Sequence, residues 1–145
     1  MSGRTILLVE DSPDDEELTL LAFEQNGITD AVQVARDGAE ALDLLFGVDG
    51  QDGIRPAVVL LDLKLPKVDG LEVLRRIRAD ERTRWLPVVV LTSSREEQDL
   101  HRSYNLGCNS YVRKPVDFAE FLETIRQLSL YWLLLNEEPP RKKPS

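Results

Sequence analysis

The sequence predicts an α/β fold in which five strand–helix repeats, (βα)5, form a doubly wound, parallel, five-stranded sheet. Three observations carry this expectation. Three short apolar runs, Ile6-Leu7-Leu8-Val9, Val58-Val59-Leu60-Leu61 and Val88-Val89-Val90-Leu91, are too short for helices and do not alternate with polar residues. That is the pattern of strands covered on both faces. Amphipathic helical segments separate the runs, and the strict alternation of strand and helix implies right-handed crossovers with helices on both faces.

The elements follow in chain order. Ser12-Pro13 starts the first helix, with Ser12 as N-cap and Pro13 at the first helical position. Leu18, Leu21 and Ala22 supply its i, i+3, i+4 stripe, and Asn26-Gly27 stops it. Ala31 to Ala35 and Ser110 to Val112 are weaker strands, expected at or near the sheet edges. Gly38 to Phe46 is the second helix. Gly47 to Pro56 is a polar connector, and its Asp49 and Asp52 lack the spacing of a calcium loop. Gly70 to Ala79 is the third helix, with Leu71, Leu74 and Ile77 on one side. Trp85, just before the fourth strand, is expected to pack. Arg95 to Leu106 is the fourth helix, closed by Gly107; its His101 is expected at the surface and the following Cys108 in the core.

Asp117 opens the fifth helix, whose core stripe is expected to run through Phe118, Phe121, Leu122, Ile125, Ser129 and Trp132. At about 100° per residue, Leu130 and Leu134 fall on the opposite side. A helix apolar all round is buried all round. The expectation is therefore a homodimer in which Leu130, Tyr131, Leu133 and Leu134 reach the partner; the alternative is that these residues fold back on their own domain. The domain is expected to span residues 1–136, and 137–145 to be a flexible tail rich in proline and lysine.

Composition narrows the function. The 145 residues suffice for one domain and leave no room for a second. A net charge of -8 argues against nucleic-acid or acidic-membrane partners, which require basic surface. The single cysteine excludes an internal disulfide, and no segment approaches the roughly 20 apolar residues of a membrane helix. The expected location is the cytoplasm.

Ligand sites in such sheets lie beyond the carboxyl ends of the strands. There stand Glu10-Asp11 after the first strand, Asp62 after the third, Thr92-Ser93 after the fourth and Lys114-Pro115 after the fifth. Taken singly, each has an ordinary reading as a cap or a solvated loop residue. Together they place three carboxylates, a hydroxyl and a lysine on one edge. Clustered carboxylates need a cation or a proton. Hard oxygens with room for waters suit Mg²⁺. A lysine opposite the metal completes a pocket for a dianionic phosphoryl group, and a carboxylate can be the nucleophile that accepts it.

Glu10-Asp11, the run Leu61-Asp62-Leu63-Lys64-Leu65-Pro66 with Asp69-Gly70, Thr92-Ser93 and Lys114-Pro115 resemble the receiver domain of bacterial two-component response regulators, over residues 4 to about 130. The resemblance implies a flavodoxin-like sheet of order 2-1-3-4-5 and a histidine kinase that phosphorylates Asp62. It also implies Mg²⁺ held by Glu10, Asp11, Asp62 and the backbone carbonyl of Lys64. Thr92 and Lys114 then contact the phosphoryl group, Thr92 and Tyr111 act as the switch, and the Lys114-Pro115 bond is cis. Val9-Glu10-Asp11-Ser12-Pro13-Asp14-Asp15, the long Gly47 to Pro56 loop, Leu65-Pro66-Lys67 and Tyr131-Trp132 more narrowly resemble stand-alone regulators of phytochrome-type histidine kinases.

Two other classes compete. A haloacid-dehalogenase-like phosphohydrolase also uses a strand-terminal Asp with Mg²⁺, but needs a second Asp two residues on, where Lys64 stands. A pseudo-receiver would be an interaction module with a dead pocket, yet here every pocket residue is present.

Overall fold

Five parallel strands form one sheet in the order β2-β1-β3-β4-β5: β1 (Thr5–Val9), β2 (Ala31–Ala35), β3 (Val58–Leu61), β4 (Val88–Thr92) and β5 (Ser110–Arg113). The structure is a computed structural model that describes residues 5–28 and 31–137, except for the side chains of Ala31 and Leu134. Five helices alternate with the strands: α1 (Pro13–Gln25), α2 (Gly38–Phe46), α3 (Gly70–Ala79), α4 (Glu97–Asn105) and α5 (Phe118–Ser129). The two weaker strands are the edges, as expected. The three apolar runs are central because both of their faces are covered.

Alternation along each central strand feeds two cores. Leu7, Val9, Val59, Leu61, Val88 and Val90 point to the face covered by α2 and α3, and meet Ala41, Leu45, Val73, Leu74 and Ile77. Ile6, Leu8, Leu60, Val89 and Leu91 point to the other, covered by α1 and α5, and meet Ala22, Phe23, Phe121 and Ile125. The helix starts are built as the sequence requires: Ser12 accepts from the Asp15 amide, Asp37 from Glu40 and Asp69 from Glu72.

Five expectations are corrected. In α1 the buried face is Thr19, Ala22 and Phe23, while Leu18 and Leu21 are more than a third exposed. Asp15 is turned toward the strand ends, where it pairs with Lys114, and residues four and seven to eight further on share its face. Phe118 is also partly exposed, while Phe121 of the same expected stripe is buried. Trp85 is 64% exposed, its ring lying against the Arg84 guanidinium. The turn before β4 is anchored by Thr83 and Leu86 instead, which are buried.

Leu133 is the fourth correction. It is buried in the domain's own core beside Phe121, Ile125 and Trp132, so it does not reach a partner. After Ser129 the helix widens into a π-turn, Leu130–Leu135. The longer i→i+5 repeat advances each residue by less than 100°, which keeps Leu133 on the inward side with Trp132. Leu130 and Tyr131 remain exposed; the Leu134 side chain and the tail beyond residue 137 lie outside the described residues. Finally, the described residues contain no cis peptide bond, so Lys114-Pro115 is trans, the isomer that X–Pro bonds intrinsically prefer.

Candidate functional site

The sheet's hydrogen bonds continue one residue past the strands and bring the site together. The Glu10 amide donates to Ala35, the Asp62 amide to Val9 and the Lys114 amide to Thr92, all through backbone carbonyls at 2.8–3.1 Å. Glu10, Asp62, Thr92 and Lys114 are thereby held in register on neighbouring strand ends, where strand spacing is about 4.8 Å. Glu10, Asp62 and Thr92 are buried, and Asp11 is exposed beside them.

The Lys114 ammonium lies among carboxylates: 2.5 Å from Glu10 Oε1, 2.9 Å from Asp15 Oδ2 and 3.3 Å from Asp62 Oδ2. Thr92 Oγ1 donates to Asp62 Oδ1 at 2.9 Å, and the Lys64 amide donates to the same oxygen at 3.4 Å. One carboxylate oxygen from each of Glu10, Asp11 and Asp62 lies within 4.8 Å of the others. Beside them opens a cleft of about 440 Å³, whose polar wall is Asp11, Lys64, Asp69, Asp99 and Arg102.

The electrostatics reflect the crowding. Burial pushes the Glu10 carboxyl up to about 7; Lys114 opposes that rise and Asp62 reinforces it. Burial alone would lower the Lys114 ammonium, but Asp62, Glu10 and Asp15 outweigh it and hold Lys114 above its ordinary range. The ammonium thus stays charged, while Glu10 is pushed toward its protonated form. Three converging hard carboxylates, one of them pushed toward its protonated form, fit a small divalent cation that would replace that proton. The chemistry of the donor set thus fits Mg²⁺.

Every pocket residue named from the sequence is brought to this edge, including the Lys64 backbone. Tyr111, on β5, lies outside the pocket and packs partly buried against the core on the α2 and α3 face. Its hydroxyl is buried without a hydrogen-bond partner, and burial pushes it up, an effect that the nearby Ser94 hydroxyl opposes. Sequence reasoning missed Asp15, Ser94 and Asp99. Asp15 carried a signal, an Asp-Asp pair directly after the Ser-Pro helix start. Asp99 carried none, since it stands among Glu96, Glu97 and Gln98 and only the packing of α4 buries it.

Residues 6–126 match the family described as Response regulator receiver domain. Among curated relatives, the chain is 46% identical over 134 residues to the "Probable methanogenesis regulatory protein FilR2" of Methanothrix harundinacea, covering 92% of this chain and 86% of that one. Among solved structures, the bacteriophytochrome response regulator AtBRR is 57% identical with a TM-score of 0.71, over 94% of this chain and 100% of that one. The Mn(2+)-bound form of response regulator Rcp1, a protein of Synechocystis, is 34% identical with a TM-score of 0.84, over 95% and 100%. The phosphorylated cyanobacterial phytochrome response regulator RcpA is 33% identical with a TM-score of 0.85, over 96% and 100%. A 2-1-3-4-5 parallel sheet, an acidic cluster with its lysine and threonine at the strand ends, and a match along nearly the whole chain place this protein in one family: it is a response regulator receiver domain.

Proposed function

We propose that the protein is a single-domain response regulator that accepts a phosphoryl group on Asp62 from a histidine kinase. The observation that carries this reading is the setting of Asp62. Its buried carboxylate has Lys114 at 3.3 Å on one oxygen and Thr92 at 2.9 Å on the other, with Glu10 and Asp11 beside it. The cytoplasm, where its kinase would present phosphohistidine, is the location this reading implies.

Asp62 attacks in line: a carboxylate oxygen bonds to phosphorus as the bond from phosphorus to the kinase imidazole breaks. Positioning and charge stabilisation do most of the work in such transfers. The Lys64 amide and the Thr92 hydroxyl orient the Asp62 carboxylate, and Lys114 is placed to pair with the incoming oxygens. Glu10, Asp11, Asp62 and the Lys64 carbonyl would hold Mg²⁺, which when bound neutralises charge between the carboxylates and the phosphoryl oxygens.

After transfer, Thr92 turns its hydroxyl from Asp62 to the phosphoryl group. The Tyr111 hydroxyl is already buried beside Ser94, so the turn of Thr92 would repack this inward-standing ring and reshape the surface of α4, β5 and α5. The family resemblance and AtBRR support a phytochrome-type kinase as the donor. A phosphohydrolase is not favoured, because Lys64 occupies the position its second Asp needs; a dead pocket is not favoured either, because the acceptor, acids and lysine are all assembled.

The test is phosphorylation from a kinase or from acetyl phosphate in Mg²⁺. Wild type takes up an acid-stable, base-labile label, and Asp62→Asn takes up none. Equal labelling of the two proteins removes the assignment.

A further inference from the structure

Asp99 is a buried carboxylate on the first turn of α4 that the phosphoryl-transfer mechanism above does not use. Its Oδ2 accepts from Ser94 Oγ at 2.5 Å and pairs with the Lys64 ammonium at 3.3 Å. Both partners lead back to the acceptor by separate routes. The Ser94 amide donates to Thr92 Oγ1 at 3.2 Å, and Thr92 donates to Asp62. The Lys64 amide donates to Asp62 Oδ1. The result is a closed ring, Asp62–Thr92–Ser94–Asp99–Lys64, joining the loops after β3 and β4 to α4.

The ring holds Lys64 in a particular place. The Lys64 side chain is 63% exposed and long, while the Asp99 side chain is only 6% exposed. The mobile partner is therefore tethered by the buried one. Ser94 fixes the Asp99 carboxylate and, with Lys64, holds it below its ordinary range, so the tether is charged at neutral pH. Helix α4 has no side-chain cap at its start; this ion pair and hydrogen bond anchor its first turn instead. The Lys64 ammonium is thus held against Asp99 at the α4 wall of the cleft.

We propose that Asp99 is a positioning residue that withholds the Lys64 ammonium from the phosphoryl group and so shortens the life of the phosphorylated state. The proposal rests on Asp62 being the acceptor. Loss of the label is hydrolysis: a water oxygen bonds to phosphorus, the bond from phosphorus to the Asp62 carboxylate breaks, and the water proton passes to solvent as inorganic phosphate leaves. A released Lys64 can pair with phosphoryl oxygens from the open side of the cleft. Its stem and charge then stand in the path of water.

The experiment labels wild type with acetyl phosphate in Mg²⁺, removes the donor and follows loss of label in Asp99→Asn, Lys64→Met and the double variant. Asparagine keeps the shape and a hydrogen bond to Ser94, and methionine keeps the Lys64 stem and backbone. Asp99→Asn is expected to lengthen the lifetime at least threefold and to tighten beryllofluoride binding, read by calorimetry, by a similar factor. Both effects vanish in the Lys64→Met background. An unchanged or shortened lifetime overturns the proposal, and so does a lengthening that persists without Lys64. Asp99→Ser is the second variant if Asp99→Asn unfolds, with the same expected direction. If wild type takes up no label, it is the assignment of Asp62 that fails; if label enters and Asp99→Asn decays as wild type, only the role of Asp99 does.

Discussion

Asp11 is exposed where Glu10 and Asp62 are buried, so it can be changed with little cost to packing. Asp11→Ala is expected to weaken Mg²⁺ binding at least tenfold, given that even groups behind the ligands of a metal site are worth about 10–100-fold. Calorimetry with Mg²⁺ and beryllofluoride measures this, and equal affinities would show that Asp11 is not a ligand. Cys108 makes a different prediction. It is buried, and that burial pushes its thiol up, opposed by Arg78. Alkylation requires the thiolate. At pH 8 the native protein should resist iodoacetamide for hours while urea-unfolded protein is modified within minutes; rapid native labelling, followed by mass spectrometry, would contradict the burial.

At the scale of elements, the start of α3 constrains the acceptor most tightly. A Cβ on Gly70 would stand 2.3 Å from the Asp62 carbonyl oxygen and 2.6 Å from Leu63 Cα. Both are backbone atoms and cannot step aside singly. Gly70→Ala is expected to destabilise the fold by about 1–3 kcal/mol, the usual cost of overpacking, and to slow labelling of Asp62 even where the protein remains folded. Urea denaturation and single-turnover labelling read the two effects. A variant with wild-type stability and rate would mean that the β3–α3 turn is freer than its packing indicates. The opposite end of α3 is held by Arg78, whose guanidinium donates to the Gly107, Arg84 and Leu86 carbonyls and to Asn109. That brace ties the turns flanking β4 and β5 together below the site.

For the molecule as a whole, we propose a homodimer through the far end of α5. Leu130, Tyr131 and Leu135 are 41%, 49% and 62% exposed. Tyr131 also lines a groove of about 550 Å³ with Trp85, Trp132, Asn136 and Glu137. Three exposed large apolar side chains on the one segment Leu130–Leu135 mark an association surface, and a two-fold contact would bury the segment of each chain against its partner. Leu130→Glu with Leu135→Glu should give a monomer in sedimentation while leaving labelling from acetyl phosphate intact. A wild type that is already monomeric at high micromolar concentration rules this out.

Much of this was legible in the amino-acid order. Unbroken apolar runs have one stable use at that length, as buried parallel strands, and a parallel sheet must gather whatever follows its strands at one edge; Glu10, Asp62, Thr92 and Lys114 therefore converge. The helix bounds were equally readable where a cap marks them, as at Ser12, Asp37 and Asp69. Tertiary structure decided the rest. It rotated α1 so that Thr19, Ala22 and Phe23, not Leu18 and Leu21, face the sheet, a phase that also brings Asp15 to Lys114. It turned Leu133 inward through a π-turn that periodicity at 3.6 residues cannot foresee. And it buried Asp99 between Ser94 and Lys64, where local sequence shows only another acid on a charged helix. Hydrophobic pattern specifies which faces are covered; the phase of a helix and the partner of a charge depend on side chains far apart in the chain that meet only once it has folded.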